Sequence, residues 1–255
     1  MSALASYPSL RGRVVFITGG GSGIGAAMSR AFAAQGARVA FVDILEAESR
    51  ALCDAVETET GLRPRFIPCD IRDVAALRAA IEETRAELGD IGALLNNAAS
   101  DQRHAVEDVT VEFWDDRMAI NQRPMFFAAQ AVLPQMRRLG GGAIVNFGSM
   151  SWKAAQGGMP AYTMAKAAVH GLTRGLARDF GPHKIRVNTL VPGWVMTERQ
   201  IRLWVNDETQ KIIEANQCLK TPLQPEAIAS MALFLAADDS AMCTAQEFVV
   251  DGGWV

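Results

Sequence analysis

The sequence predicts an α/β fold: a doubly wound, parallel sheet of seven strands with helices on both faces, forming one domain over residues 1–255. Three observations carry that expectation. Short apolar runs alternate strictly with longer amphipathic stretches, the pattern of successive βαβ units. Gly36, Gly61 and Gly89 each follow an amphipathic stretch, where a helix commonly stops. No internal repeat, low-complexity tract or Pro/Gly/Ser linker interrupts the order.

Period and breakers justify each element in turn. Arg13–Ile17 (RVVFI) is β-branched and aromatic, which suits a buried strand. Ile24–Gln35 reads as a helix ended by Gly36, and Arg38–Val42 (RVAFV) as the second strand. Leu45–Thr60 has helical spacing and meets Gly61; Arg65–Pro68 is a short third strand. Val74–Leu88 is helical up to Gly89, and Ala93–Asn96 (ALLN) is the fourth strand. Phe113–Arg138 holds one or two helices, with Pro124 as a kink or a helix start. Ala143–Phe147 (AIVNF) is the fifth strand, Ala161–Phe180 a long helix, and Ile185–Val191 (IRVNTLV) the sixth strand. Thr197–Pro222 reads as an irregular insertion, a small substrate loop. Ala227–Ala236 is a helix and Glu247–Val250 (EFVV) the last strand.

Composition narrows the function classes. Of 255 residues, 49% are hydrophobic and 21% charged, which excludes disordered and fibrous classes. Lys and Arg number 25 against 28 Asp and Glu, a net charge of −3. That balance argues against a nucleic-acid partner, which would need a basic footprint. No run of about 18 apolar residues is present, so no membrane span is expected. The start, MSALASYPSLRGR, lacks the apolar core of a signal peptide. Cys53, Cys69, Cys218 and Cys243 are scattered with no CxxC pair. The expectation is a cytoplasmic protein with reduced thiols, no disulfide framework and no metal site.

Between the first strand and first helix lies TGGGSGIG, Thr18–Gly25. Gly19, Gly23 and Gly25 follow the spacing G-x-x-x-G-x-G. Without Cβ atoms the chain can turn tightly and bring its amides close to a pyrophosphate. The helix that follows offers free N–H groups and a positive dipole end to the anion. Strand before and helix after is the context such a loop needs. Asp43 closes the second strand, 24 positions after Gly19. A carboxylate there can accept from the hydroxyls of an adenosine ribose and would repel a 2′-phosphate. Ile44 follows, so no adjacent basic residue invites that phosphate, and NAD is favoured over NADP. Asp43 could also cap the helix at Leu45.

Tyr162 and Lys166 lie four apart on a predicted helix and so share one face. A free tyrosine is a poor base at neutral pH. A nearby ammonium stabilises the phenolate, so the pair makes sense as a proton-transfer device. The chain has only two tyrosines, and the other, Tyr7, lies in the leading segment. Ser149 sits just past the fifth strand, at the sheet edge that parallel sheets present to ligands.

With these residues in hand, the sequence resembles the short-chain dehydrogenase/reductase family over nearly its whole length. The matching stretches are TGGGSGIG, CDIRD (Cys69–Asp73), NNAA (Asn96–Ala99), Asn121, Ser149, YTMAK (Tyr162–Lys166) and PGWVMT (Pro192–Thr197). The resemblance implies a Rossmann-type sheet and hydride transfer to or from a nicotinamide. It implies Tyr162 as acid/base, Lys166 lowering its pKa and holding the nicotinamide ribose, and Ser149 orienting the reacting oxygen. Asn121 would anchor a water linking Lys166 to solvent. Around the cofactor it implies Gly19, Ser22, Gly23, Ile24 and Asp43, with Asp70 and Ile71 flanking the adenine and Asn97 and Ala98 along it. Pro192, Gly193, Val195 and Thr197 would meet the carboxamide and phosphate end. One departure is visible: the family usually has NNAG, and here the fourth residue is Ala99, whose Cβ would narrow the pocket floor.

Three loops should line a substrate pocket: Ala99–His104, Met150–Pro160 and Trp194–Pro222. They carry Asp101, Gln102, Arg103, His104, Ser151, Trp152, Gln156, Trp194, Arg199, Gln200 and Trp204. Polar groups with indole plates suit a sugar, which offers hydroxyls and an apolar C–H face. Ser151, Trp152, Gln156, Trp194, Arg199 and Gln200 are the candidate substrate residues. The chain is also similar to a narrower subgroup, the aldose 1-dehydrogenases acting on xylose, arabinose, fucose or rhamnose. That likeness rests on YPSLRGRVVFITGGGSGIG, DQRHAVEDVT, NFGSMSW and the segment QCLKTPLQPEAIASMALFLAADDSAMCTAQEFVVDGGW. It implies oxidation of a sugar C1 hydroxyl by NAD to a lactone. The alternatives are a reductase of a keto-deoxy sugar acid, with Arg199 or Arg202 facing the pocket, or of a 3-oxoacyl thioester. A non-catalytic NAD-binding protein is a third reading, disfavoured by the intact Tyr162/Lys166 pair. The small-residue face of the long helix (Ala161, Ala165, Ala168, Gly171, Gly175) and the family resemblance suggest a homotetramer, with Trp254 reaching a neighbour.

Overall fold

A computed structural model describes residues 5–255. The first four residues of the leading segment lie outside that range. Seven strands form one parallel sheet in the order β3-β2-β1-β4-β5-β6-β7. They are β1 (Val14–Thr18), β2 (Arg38–Asp43), β3 (Arg65–Pro68), β4 (Ile91–Asn96), β5 (Gly142–Phe147), β6 (Ile185–Pro192) and β7 (Glu247–Val250). The helices are α1 (Gly23–Ala34), α2 (Glu46–Thr60), α3 (Val74–Leu88), α4 (Val111–Asn121), α5 (Arg123–Arg138), α6 (Pro160–Phe180), α7 (Glu198–Trp204), α8 (Asp207–Asn216) and α9 (Pro225–Ala236).

The period-two alternation of the strands sorts the core into two layers. Val15, Ile17, Val39, Phe41, Ala93, Leu95, Val145 and Phe147 face one layer, which is filled from α1, α2 and α9. Val14, Phe16, Ala40, Val42, Leu94 and Ile144 face the other, filled from α3, α5 and the far end of α6. Strands buried on both faces read as continuous apolar runs, as all-parallel sheets require. Chain order reverses between β1 and β4. A crevice opens outside the carboxyl ends of the strands at such a switch point.

Local chemistry sets the boundaries. Asp73 caps α3 by accepting the Ala75 and Ala76 amides at 2.8 and 3.0 Å. Thr110 caps α4 through the Phe113 amide, so that helix begins at Val111, before the predicted Phe113. The predicted stretch Phe113–Arg138 is two helices. They break at Gln122 (φ −134°, ψ −57°), with Pro124 in the first turn of α5. The expectation of an irregular insertion at Thr197–Pro222 is corrected: it contains α7 and α8. Each is held by its own cap. Thr197 accepts the Gln200 amide, and Asn206 forms a capping box with Thr209. Both helices are short and mostly exposed, so no clear apolar stripe announced them.

Two devices fix the elements that carry the site. Asn96 donates to Asn146 at 2.8 Å, Asn146 to Thr173 at 3.0 Å, and Thr189 to Thr173 at 2.8 Å. All four residues are buried, and together they lock α6 onto β4, β5 and β6. At the other sheet edge, Arg186 donates to the Leu235 and Ala237 carbonyls at 2.8 and 2.9 Å, and Arg13 to that of Ala236 at 2.6 Å. These bonds satisfy carbonyls that the end of α9 leaves free.

Candidate active site

The glycine loop turns from β1 into α1 with no side chain in the way. Gly19 has φ +67°, a left-handed conformation that a residue with a Cβ rarely adopts. A Cβ on Gly25 would stand 1.8 Å from the Gly19 carbonyl oxygen, so helix and loop approach to backbone distance. Ser22 at the N-cap of α1 makes no side-chain cap bond, and the first turn holds no acidic residue. The amides of that turn are therefore unclaimed by capping side chains, and the dipole favours an anion there.

Asp43 ends β2 with its carboxylate fixed by three amides. Oδ2 accepts from Gly21 at 2.9 Å, and Oδ1 from Ile44 at 2.8 Å and Leu45 at 3.0 Å. It thus ties the strand end to the glycine loop as well as shaping the turn into α2. Asn97 tightens the loop from the other side, donating from Nδ2 to the Thr18 and Gly19 carbonyls, both at 3.0 Å. Ala98 donates to Thr18 Oγ1 at 3.1 Å.

Along the carboxyl edge runs a cleft of about 1290 Å³, larger than the ~300–1,000 Å³ of a single small-ligand pocket. Gly19, Ser22, Gly23, Ile24, Asp43, Asp70, Ile71, Asn97, Ala98, Pro192, Gly193, Val195 and Thr197 all line it, as does Ala99. Ser149, Tyr162 and Lys166 stand in the same cleft. Asn121 does not. It is fully buried, and its side chain is spent on Ser100, accepting that residue's amide at 2.8 Å and donating to its carbonyl at 3.1 Å.

At the reacting end, the Ser149 hydroxyl acts on Tyr162, drawing its pKa down, and accepts the Ser151 amide at 3.1 Å. Burial pushes the Tyr162 phenol up to about 12, against the downward pull of Ser149. Burial pushes the Lys166 ammonium down to about 7, with the Asp101 carboxylate opposing. Burial of the phenol thus outweighs the expected lowering of its pKa. The ammonium donates to the Phe147 carbonyl at 2.7 Å and lies 5.7 Å from the tyrosine ring centre.

The substrate candidates divide. Gln156, Trp194, Arg199 and Gln200 line the cleft, together with Asp101 and Arg103. Ser151 and Trp152 do not, and those expectations are corrected. Ser151 is buried and gives its backbone amide to Ser149. Trp152 turns outward and donates from Nε1 to His170 at 3.2 Å. A residue-by-residue reading of a loop cannot tell which side chains a short 3-10 turn, here Met150–Trp152, sends inward. His104 serves the backbone: its Nε2 accepts the Ala161 amide at 3.3 Å. A contiguous cavity of about 570 Å³ shares Arg103, Met150, Gln156 and Trp194 with the cleft and is walled by Trp204, Ile212 and Trp254. Trp254 stacks on Trp194 of its own chain, with ring centres 6.4 Å apart. Met150 and Ile212 fall within the loops expected to line the pocket, though neither is among the residues named for it. Trp254 lies outside those loops, near the end of the chain, where no motif marks it.

The chain has many known relatives. Residues 19–255 match a family model described as Enoyl-(Acyl carrier protein) reductase. A "Probable galactose dehydrogenase" of Rhizobium meliloti is 51% identical over 98% of this chain and 97% of its own length. A D-xylose 1-dehydrogenase of Caulobacter vibrioides is 47% identical over 98% of both chains. Among solved structures, a blue fluorescent protein from a metagenomic library, in complex with NADPH, superposes with a TM-score of 0.88 at 35% identity, covering 97% of this chain and 99% of that one. With glycine loop, Ser149, Tyr162 and Lys166 brought to one cleft of a seven-stranded parallel sheet, the chain belongs to the short-chain dehydrogenase/reductase family.

Proposed function

We propose that the protein is an aldose 1-dehydrogenase that oxidises the C1 hydroxyl of a cyclic sugar to a lactone with NAD. The observation that carries this reading is that Ser149, Tyr162 and the buried Lys166 stand in the same cleft that holds the glycine cradle. The cradle fits a dinucleotide. Gly25 leaves backbone where a Cβ could not stand, the first turn of α1 has no side-chain cap, and Asp43 waits at the end of β2. A nicotinamide dinucleotide held there supplies the hydride acceptor.

The chain's own residues do the rest. Tyr162 Oη takes the proton of the C1 hydroxyl, and Ser149 holds the same sugar oxygen by hydrogen bonding. Lys166, near neutrality in pKa and bonded to the Phe147 carbonyl, passes the proton on to solvent, while the C1 hydride goes to the nicotinamide. Asn121 positions the Ser100 turn beside them. Gln156, Trp194 and Gln200 face the sugar, and the wall of Trp204 and Trp254 offers aromatic plates to its C–H face. Arg199 is paired with Asp101, which favours a neutral sugar over the carboxylate of a sugar acid. The galactose and D-xylose dehydrogenases among the relatives support the same substrate class.

The preference for NAD rests on charge. Arg30 and Arg72 border the cleft, but Arg30 pairs with Glu59, and Arg72 with Asp70 and Asp116. A ribose 2′-phosphate would face the Asp43 carboxylate with both cations engaged. For the assembly we propose a homotetramer: added Cβ atoms at Gly171 and Gly175 would meet nothing within 4 Å, leaving that face of α6 free for close helix packing. The test is absorbance at 340 nm with NAD and then NADP across pentoses, hexoses and 6-deoxyhexoses. Turnover of one or two aldoses with NAD supports the reading; silence across the panel, with dinucleotide binding intact, ends it.

A further inference from the structure

Loop 100–104, between β4 and α4, touches three elements that the reaction needs. Its first residue, Ser100, is clamped by Asn121 at the end of α4 and receives a hydrogen bond from Arg117 at 2.9 Å. Its last, His104, donates its amide to the Gly158 carbonyl at 2.8 Å and accepts the Ala161 amide, one residue before Tyr162. Its middle reaches across the cleft to α7. Asp101 Oδ1 pairs with Arg199, and Oδ2 accepts from Gln200 Nε2 at 2.7 Å. Arg103 lies over the Trp204 ring, 5.1 Å from its centre. The α7 helix has no fully buried residue, and Trp204 at its end is its one half-buried apolar side chain. With so little apolar anchorage, these polar contacts weigh heavily in where it sits.

We infer that Asp101 is a positioning residue: it latches α7 over the sugar end of the cleft and so aligns substrate with Ser149 and Tyr162. The inference rests on the aldose 1-dehydrogenase reading for the identity of the substrate, but the latch itself does not. The Asp101 carboxylate is only 14% exposed. Burial alone would raise its pKa, and the hydrogen bonds from Gln200 and Arg199 outweigh this and hold it below the usual carboxylate range. It stays ionised at neutral pH and keeps both arms. A carboxylate oxygen accepts more than one hydrogen bond, so a sugar hydroxyl can add to the fork without breaking it. The charges facing Asp101 are Arg199 from α7 and Arg103 from its own loop. Tyr162 and Lys166 on α6 lie within its electrostatic reach.

The test compares the wild type with Asp101→Asn, Arg199→Ala and the swap Asp101→Arg/Arg199→Asp. Hydrogen exchange of α7 amides is read in the ligand-free chain, beside steady-state kinetics on the preferred aldose. Asparagine keeps the shape but cannot accept on its amide side. We expect α7 to exchange at least about tenfold faster in both single variants while α6 is unchanged. Sugar KM should rise about tenfold with kcat within about threefold, and the swap should recover most of both losses. Removing the negative charge beside Tyr162 should also move the alkaline limb of the pH–rate profile to lower pH, which a purely structural contact would not do. Arg199 is about half exposed, so its truncation keeps the test open if Asp101→Asn folds poorly. Unchanged α7 exchange in the single variants overturns the latch. Faster exchange with unchanged KM overturns the positioning role. If no aldose is turned over by the wild type, the substrate reading fails and the exchange data still decide the latch.

Discussion

Lys166 Nζ donates to the carbonyl oxygen of Phe147 at 2.7 Å, across the end of β5, and the same nitrogen lies 5.7 Å from the centre of the Tyr162 ring. The ammonium is almost wholly buried, and its pKa falls from 10.5 to about 7. A depressed lysine pKa has a defined sign. Between about pH 7 and 10.5 the unfolded chain binds a proton at this site that the folded chain does not, so stability rises with pH across that window. Lys166→Met removes the effect. We expect the variant to gain stability over wild type near pH 7, by a few kcal/mol at most, and the gain to vanish as pH approaches 10.5. Thermal unfolding of both proteins at a series of pH values checks it. A constant difference across the window would refute the assignment.

Tyr162 is the group on which turnover depends. Tyr162→Phe should lower kcat by about 10²–10⁴-fold and leave dinucleotide binding within about threefold, measured by fluorescence titration. Because burial holds the phenol up near 12 and Ser149 pulls it down, sugar oxidation should accelerate with rising pH. Ser149→Ala should push that alkaline limb to still higher pH. A limb that moves down, or not at all, would separate Ser149 from the proton transfer.

Gly25→Ala tests the cradle. The new methyl would meet the Gly19 carbonyl oxygen at 1.8 Å, and the neighbours it meets are backbone, which cannot swing aside. We expect dinucleotide affinity to fall at least about 100-fold, equivalent to about 2.7 kcal/mol, together with a lower melting temperature. Retained affinity would mean that the loop does not hold the pyrophosphate.

Asp43→Ala tests cofactor choice. The change removes the acceptor of the Gly21 amide and the charge that faces the ribose. NAD affinity should fall about tenfold, and the NAD/NADP ratio of kcat/KM should drop by at least as much. An unchanged ratio would place the discrimination elsewhere.

Arg186→Ala tests the cap of α9. Its guanidinium serves the Leu235 and Ala237 carbonyls, and the side chain is half-buried. Hydrogen bonds to charged groups contribute about 1.5–3 kcal/mol, and urea unfolding should show a loss of that order with sugar KM unchanged.

The core of the fold was legible because the strands of a sheet covered on both faces are continuous apolar runs, and β3, α3 and β7 fall on their predicted boundaries. The chemical end was legible for a different reason. Gly19, Ser149, Tyr162 and Lys166 need particular residue types at particular spacings, and those spacings are local. The insertion was not legible. The Thr197 cap and the Asn206 capping box are short-range signals, but α7 and α8 bury almost nothing, and hydrophobic period has little to report there.

What the sequence by itself determined is the order of elements, the cradle and the proton-transfer pair, since each is written in contiguous or one-turn neighbours. Tertiary structure alone decided three things. Trp152 points away from the cleft while Trp254 joins its wall; Asn121 spends its side chain on Ser100; and Asp101 meets Arg199 and Gln200 from nearly a hundred residues away. These are choices of side-chain direction and of long-range partner. They follow from which sheet edge and which helix end the backbone brings together, and no spacing along the chain encodes that distance. The same holds for the two pKa values at the site. Tyr162 and Lys166 are neighbours on a helix in any reading, but burial by the surrounding fold drives the phenol up and the ammonium down.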